Sequence, residues 1–223
     1  KDYDLKRTIS FHGRIKTAQQ FAQQHAAVVE WMPEDHKPSG TIWADTITGA
    51  MNSSDRRKLL SKLKDDVSGQ HALLSNARCL TEGVDVPSLD GVAFIDPRSS
   101  QVDIIQAVGR AIRKSDEKNL GTIVLPVLIP QETETDFALE DSTFKPIWTI
   151  LKALRSHDEI LGNQLDEIRT ALGRGSTKIS LPEKIVISLP QDIDQIFPDL
   201  ASKLSISLSV TMWPIFFTKN LLF

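Results

Sequence analysis

Apolar positions along this chain follow two rhythms, period two in short runs and a helical period in the stretches between them. Residues 8–11 (TISF), 41–48 (TIWADTIT), 71–75 (HALLS), 91–96 (GVAFID) and 121–129 (GTIVLPVLI) read as strands. After the first strand, His12-Gly13-Arg14 turns the chain, and Ile15, Ala18, Phe21, Ala22 and His25 recur at helical spacing to about Val29. After the second, Leu59, Leu60 and Leu63 do the same, with Ser53 or Ser54 placed to cap. Asn76-Ala77-Arg78 leads out of the third strand. Residues 101–114 predict a further helix, capped by Ser99 or Ser100. Its Ile104, Ile105, Val108, Ala111 and Ile112 form an apolar back, while Gln106, Arg110 and Arg113 share a stripe roughly 60° wide on the other side. Residues 121–129 are almost wholly apolar, as in a strand covered on both faces. This alternation predicts an α/β fold, a mainly parallel sheet with right-handed crossovers flanked by helices, over residues 1–130.

From residue 131 the pattern changes. Ile147, Leu151, Leu154, Leu161, Leu165, Ile168 and Leu172 follow heptad spacing, with Ser156 and Glu159 set as a capping box, so one long helix or two in sequence both fit. Residues 184–189 (KIVISL) and 205–212 (SISLSVTM) read as strands. Residues 131–223 are therefore expected to form a separate accessory region, helical and then mixed. The apolar end WPIFFTKNLLF and the start at Lys1 are expected of a piece cut from a longer polypeptide.

Composition narrows the classes. With 40% hydrophobic and 25% charged residues the chain is globular in character, and its net charge of −3 argues against a generic basic coat for nucleic acid. Cys79 is the single cysteine, which excludes an internal disulfide and a cysteine-based zinc site and fits a reducing, cytoplasmic compartment. The five histidines show no metal-ligand spacing, so no metal bound by this chain alone is expected, and no apolar run is long enough to span a bilayer.

Candidate chemistry concentrates in residues 73–114. Arginine forks match phosphate oxygens and stay charged, so a helix presenting Arg110 and Arg113 beside the Gln106 carboxamide suits a phosphate. Gly109 sits mid-helix, where it costs about 1 kcal/mol relative to Ala, as if something approaches closely. The turn at residues 81–87 (TEGVDVP) stands just ahead of the fourth strand. Arg14 adds charge to a helix start whose free N–H groups suit a phosphate, and Asn76 lies at a strand end, where ligands of open α/β sheets gather.

LTEGVDVP resembles motif V of superfamily 2 helicases, and QAVGRAIR resembles their motif VI. TISFHGRIKTAQQFA is similar to motif IV, and TGAMNSSDRR to the segment after the second strand, so the likeness runs over about residues 5–130. Within that superfamily the runs NARCLTEGVDVP and QAVGRAIRK look most like bacterial DEAD/DEAH-type helicases, some of them parts of restriction-modification polypeptides. The resemblance implies a C-terminal RecA-like lobe. Arg110 and Arg113 would be arginine fingers, Gln106 would orient a neighbour or water, and Gly83 and Asp85 would face the nucleotide, Asp85 toward a ribose hydroxyl. Glu82 stands where many relatives carry Arg. Arg14, Thr48, Gly49 and Asn76 would lie along a nucleic-acid backbone, with DNA the expected partner. ATP and Mg2+ would be held mainly by an N-terminal RecA-like lobe of the same polypeptide.

One absence decides the mechanism. No G-x-x-x-x-G-K-[ST] loop occurs, and the acidic pairs DEIL at 158–161 and DEIR at 166–169 lie in a helical pattern rather than after an apolar strand. Alone, this chain is expected not to hydrolyse ATP. The rival reading is a catalytically silent helicase-like docking module of a restriction or defence protein. A sugar-nucleotide transferase lobe shares the α/β layout but has no need of a QxxGRxxR helix.

Overall fold

The computed structural model describes residues 5–35, 37–65, 69–77, 79, 89–96, 122–126, 150, 153 and 159–174. The chain divides into two compact units, Lys1–Pro126 and Val127–Phe223. The first contains strands β1 (Arg7–His12), β2 (Thr41–Thr48), β3 (Gln70–Ala77), β4 (Gly91–Phe94) and β5 (Thr122–Val124), with helices α1 (Ile15–Trp31) and α2 (Ser53–Lys64). Every described pairing is parallel, in the order β2-β3-β1-β4-β5. This is the mainly parallel α/β arrangement that the alternation predicts, in the RecA-like form that the resemblance implies.

β1 occupies the middle, pairing over its whole length with β3 and over Thr8–Phe11 with β4. The chain crosses from β1 past β3 to β2 and then returns to β3. Right-handed crossovers in opposite directions place α1 and α2 on opposite faces. The side chains agree: Thr46 Oγ1 lies 3.4 Å from the Ala18 carbonyl of α1, and Lys62 of α2 sits 4.5 Å over the ring of Trp43, whose side chain leaves the other face. On the α2 face of the sheet Ile9, Ile47, Leu74, Val92 and Phe94 are at most 2% exposed, and Leu63 of α2 is fully buried. Phe11 and Phe94 stack there at 5.4 Å. Under α1 the sheet is instead small and polar, with Ser10, Thr46 and Ser75 aligned in register across three strands. Ala18 and Ala22 are the buried residues of α1, so the helix approaches closely.

Several element ends differ from the sequence expectation. Asn52, not Ser53 or Ser54, caps α2; its Oδ1 accepts from the Asp55 N–H at 2.8 Å while its Nδ2 donates back to Asp55 Oδ2. The helix simply starts one residue earlier, which brings Asp55 to the position an N-cap side chain reaches. β3 runs on through Ala77, so Asn76 belongs to the strand rather than to its exit. β4 ends at Phe94 and β5 is described over Thr122–Val124; β5 forms the edge of the described sheet, and Val124 is exposed rather than covered on both faces. α1 ends where Pro33 forces the preceding Met32 into extended geometry (φ −62°, ψ 149°). At the opposite edge Gly40 (φ 97°) opens β2 against the Gly69 carbonyl, which accepts from Thr41 N–H at 2.9 Å; a Cβ at Gly40 would collide with that oxygen.

In the second unit, helix α3 (Glu159–Gly173) starts at the glutamate of the predicted capping box and contains Asp166 and Glu167, so that acidic pair is helical as its pattern predicts. Ile150 and Ala153 are buried. Ser156 and the strands expected at 184–189 and 205–212 lie outside the described residues. No described helix is long and apolar enough to cross a membrane.

Leu74 lies fully buried at the centre of β3. Leu74→Ala is expected to cost about 2–5 kcal/mol by urea unfolding. Trp31→Ala, at a site 85% exposed, should stay within about 0.5 kcal/mol of the parent.

Candidate functional site

In a parallel sheet all strands finish at one edge, and register shows which ends are neighbours. Thr48, Ala77 and His12 form the last row, on β2, β3 and β1 in that order. Strands are spaced about 4.8 Å apart, so the exits after Thr48 and His12 stand about 10 Å apart with the end of β3 between them. Arg14 leaves β1 at this edge. It is exposed and extended at the N-cap of α1, makes no side-chain cap bond, and accepts from Thr17 Oγ1 and Ala18 N–H through its carbonyl. The first turn of α1 carries no acid and includes Lys16, so N–H groups, dipole and side-chain charge all favour an anion there. Gly49 is exposed, whereas Thr48 is buried and accepts from the Met51 N–H at 3.2 Å to start the turn into α2.

Asn76 occupies the same edge from the inside. It is 1% exposed, and its Oδ1 accepts from the Cys79 N–H at 3.2 Å and from its thiol at 3.1 Å. The carboxamide therefore closes the turn after β3 instead of facing solvent. Burial pushes the Cys79 thiol up to about 11, against the opposing charge of Arg56. Cys79 is thus a protonated donor at neutral pH.

The α1-side face holds a polar seam that the sequence did not flag. Ser10 Oγ donates to Ser75 Oγ at 3.1 Å and lies 3.0 Å from His12 Nε2. The His12 ring tilts against Phe21, centroids 5.0 Å apart, and its Nδ1 is buried without a hydrogen-bond partner among the described residues. Burial lowers the His12 pKa; Asp96, just beyond β4, opposes that shift. Strict alternation in TISFH placed Ser10 and His12 on one face, but only the strand pairing shows that this face meets Ser75. Outgoing connections diverge at the ends of β1 and β4, the crevice where open α/β sheets take ligands. Gly83, Asp85, Gln106, Arg110 and Arg113 lie outside the described residues. The structure thus brings Arg14, Thr48, Gly49 and Asn76 to one edge, and of these Arg14 and Gly49 are exposed.

Residues 4–115 match the helicase conserved C-terminal domain family. The chain belongs to this family. A probable helicase of African swine fever virus is 38% identical over 91 residues, covering 41% of this chain and 10% of the viral protein. A candidate ATP-dependent helicase of Saccharomyces cerevisiae is 27% identical over 145 residues, 59% of this chain and 20% of its own. Among solved structures, the ATP-dependent Type ISP restriction-modification enzyme LlaBIII bound to DNA aligns with a TM-score of 0.73 and 28% identity over 92% of this chain and 13% of that one. This chain thus spans a tenth to a fifth of the length of these relatives.

Two outcomes follow from the edge. The unfolded chain takes up protons on His12 and His25 near pH 6.5, whereas burial holds both pKa values lower in the folded protein. Their contribution is therefore absent above that pH and becomes a loss as pH falls through it. Urea midpoints should drop on acidification below about pH 6.5, and His12→Gln should flatten that slope. Asn76→Ala leaves the Cys79 N–H unsatisfied and is expected to cost about 1–3 kcal/mol. It should also speed the native thiol's reaction with a thiol reagent, which in the parent runs far slower than in urea.

Proposed function

We propose that this lobe is the second motor domain of an ATP-dependent helicase or translocase acting on DNA. The supporting observation is the family match over a parallel sheet whose carboxyl edge collects Arg14, Thr48, Gly49 and Asn76. Arg14 and the α1 N-terminus grip a sugar–phosphate backbone, Gly49 lets it approach the main chain, and Thr48 and Asn76 hold the two strand exits from within. DNA is favoured because the restriction-modification enzyme that shares this fold was solved bound to DNA.

ATP with Mg2+ is held mainly by an N-terminal RecA-like lobe of the same polypeptide, and it supplies the phosphoryl group whose hydrolysis drives the cycle. This chain contributes cations and carries no phosphate loop of its own, so by itself it is inert. Arg110 and Arg113 neutralise charge that develops on the transferred phosphoryl group, an effect typically worth ~10³–10⁵ in rate. Gln106 orients a neighbouring group or water, Gly83 permits close approach, and Asp85 accepts from a ribose hydroxyl. Residues 131–223 form a separate accessory region.

In the complete polypeptide, Arg110→Ala is expected to lower DNA-stimulated ATP hydrolysis by about 10³-fold or more while the unfolding midpoint stays at the parent value. Undiminished turnover in that variant would refute the finger assignment. A parent that hydrolyses no ATP at all would favour a silent docking module.

A further inference from the structure

We propose that the outward face of α2 is a sequence-independent surface for the phosphate backbone of duplex nucleic acid, lying beside the strand-end track and distinct from it. The identity of the polyanion rests on the reading above; the surface itself rests on charge and placement. α2 carries Arg56, Arg57, Lys58, Lys62 and Lys64 against one carboxylate, Asp55, within a protein of net charge −3. At about 100° per residue, Arg57, Ser61 and Lys64 form one column and Lys58 and Lys62 the next. These five column residues are all exposed, on the side opposite the fully buried Leu63.

Among the described residues these charges are largely unneutralised. Lys58 shares Asp55 at 3.3 Å and keeps a side chain 77% exposed. Lys62 lies over the Trp43 ring. Among the described residues no carboxylate pairs with Arg57 or Lys64. The helix starts just past Gly49 and runs back along the sheet for about 18 Å, so its basic columns continue directly from the strand-end track.

Chemistry selects the ligand. α2 contains no aromatic residue, and the nearby Trp43 ring is covered by Lys62, so the face offers no stacking platform for unpaired bases. Charge without stacking suits the backbone of a duplex, contacted through flexible point charges that read no sequence. An acidic protein segment would meet the same charges, but continuity with the track favours nucleic acid.

The test is fluorescence anisotropy of the 223-residue chain with a labelled blunt duplex and with a labelled single strand, each titrated in salt. Arg57→Gln, Lys58→Gln and Lys64→Gln are combined in one variant, with circular dichroism and the unfolding midpoint as fold controls. Duplex affinity should fall at least about tenfold, and the slope of log affinity against log salt should shrink by roughly three. Single-strand affinity should hold, whereas Arg14→Ala should weaken it. Parent-like duplex affinity and slope in the triple variant would overturn the proposal. So would a parent chain that binds the single strand but not the duplex, an outcome that leaves the track intact. Duplex binding that depends on α2, with no single-strand binding, would support the surface and sink the track. Binding of neither overturns both, and displacement by poly-glutamate as effective as by duplex overturns the nucleic-acid identity.

Discussion

β1 is held on both sides by parallel pairing, to β3 through His12↔Ala77 and to β4 through Phe11↔Phe94, and the rest of the lobe takes its position from that. Parallel pairing sends every strand exit to one edge. Because side chains alternate with period two, it also assigns each residue of β1 to a face. A slip by one residue would bring Ser10 and His12 into the apolar layer beneath α2 and expose Ile9 and Phe11 to the small polar seam beneath α1. The cost of either burial makes the register close to obligatory.

The two faces do different work. On the α2 face, fully buried aliphatic and aromatic side chains form an apolar layer whose burial stabilises the sheet. Beneath α1, the contact between Ser10 and Ser75 ties adjacent strands side by side, and small residues on both partners bring the helix close. His12 ends this seam one residue before Gly13 and two before Arg14. A buried imidazole, its pKa lowered by burial, therefore stands immediately behind the N-terminus of α1. Asn76 does the corresponding work on the other face, where its buried carboxamide holds the first turn after β3. The edge is thus built as exposed groups mounted on internally hydrogen-bonded ends.

Charge is distributed just as locally. The protein is acidic overall, yet the first turn of α1 lacks acids and α2 concentrates five basic residues on one short helix. Uneven charge of this kind directs an anion to one side of the lobe, whereas a uniformly basic surface would bind it everywhere. The motor function proposed above would use that asymmetry: holding and releasing a backbone in each cycle favours a few local contacts over a general coat.

Much of this was legible in the residues. TIWADTIT marks β2 to the residue, and the apolar spacing of α1 and α2 marks both helices, because local alternation and helical period survive any tertiary context. Motif spacing identified the family. Chain order could place Arg14, Gly49 and Asn76 near strand ends, but only the fold shows that Asn76, expected to face a ligand there, is 1% exposed. Burial depends on what neighbouring segments cover, and the donor it meets, Cys79, is found only once the turn is closed. The same holds for Ser10 and Ser75, whose sequence separation of 65 hides a 3.1 Å contact. Sequence by itself determined the elements, their alternation and the family, since those are short-range patterns. Tertiary structure alone decided strand order, which polar groups turn inward and which cations stay exposed at the edge, since those depend on non-local pairing.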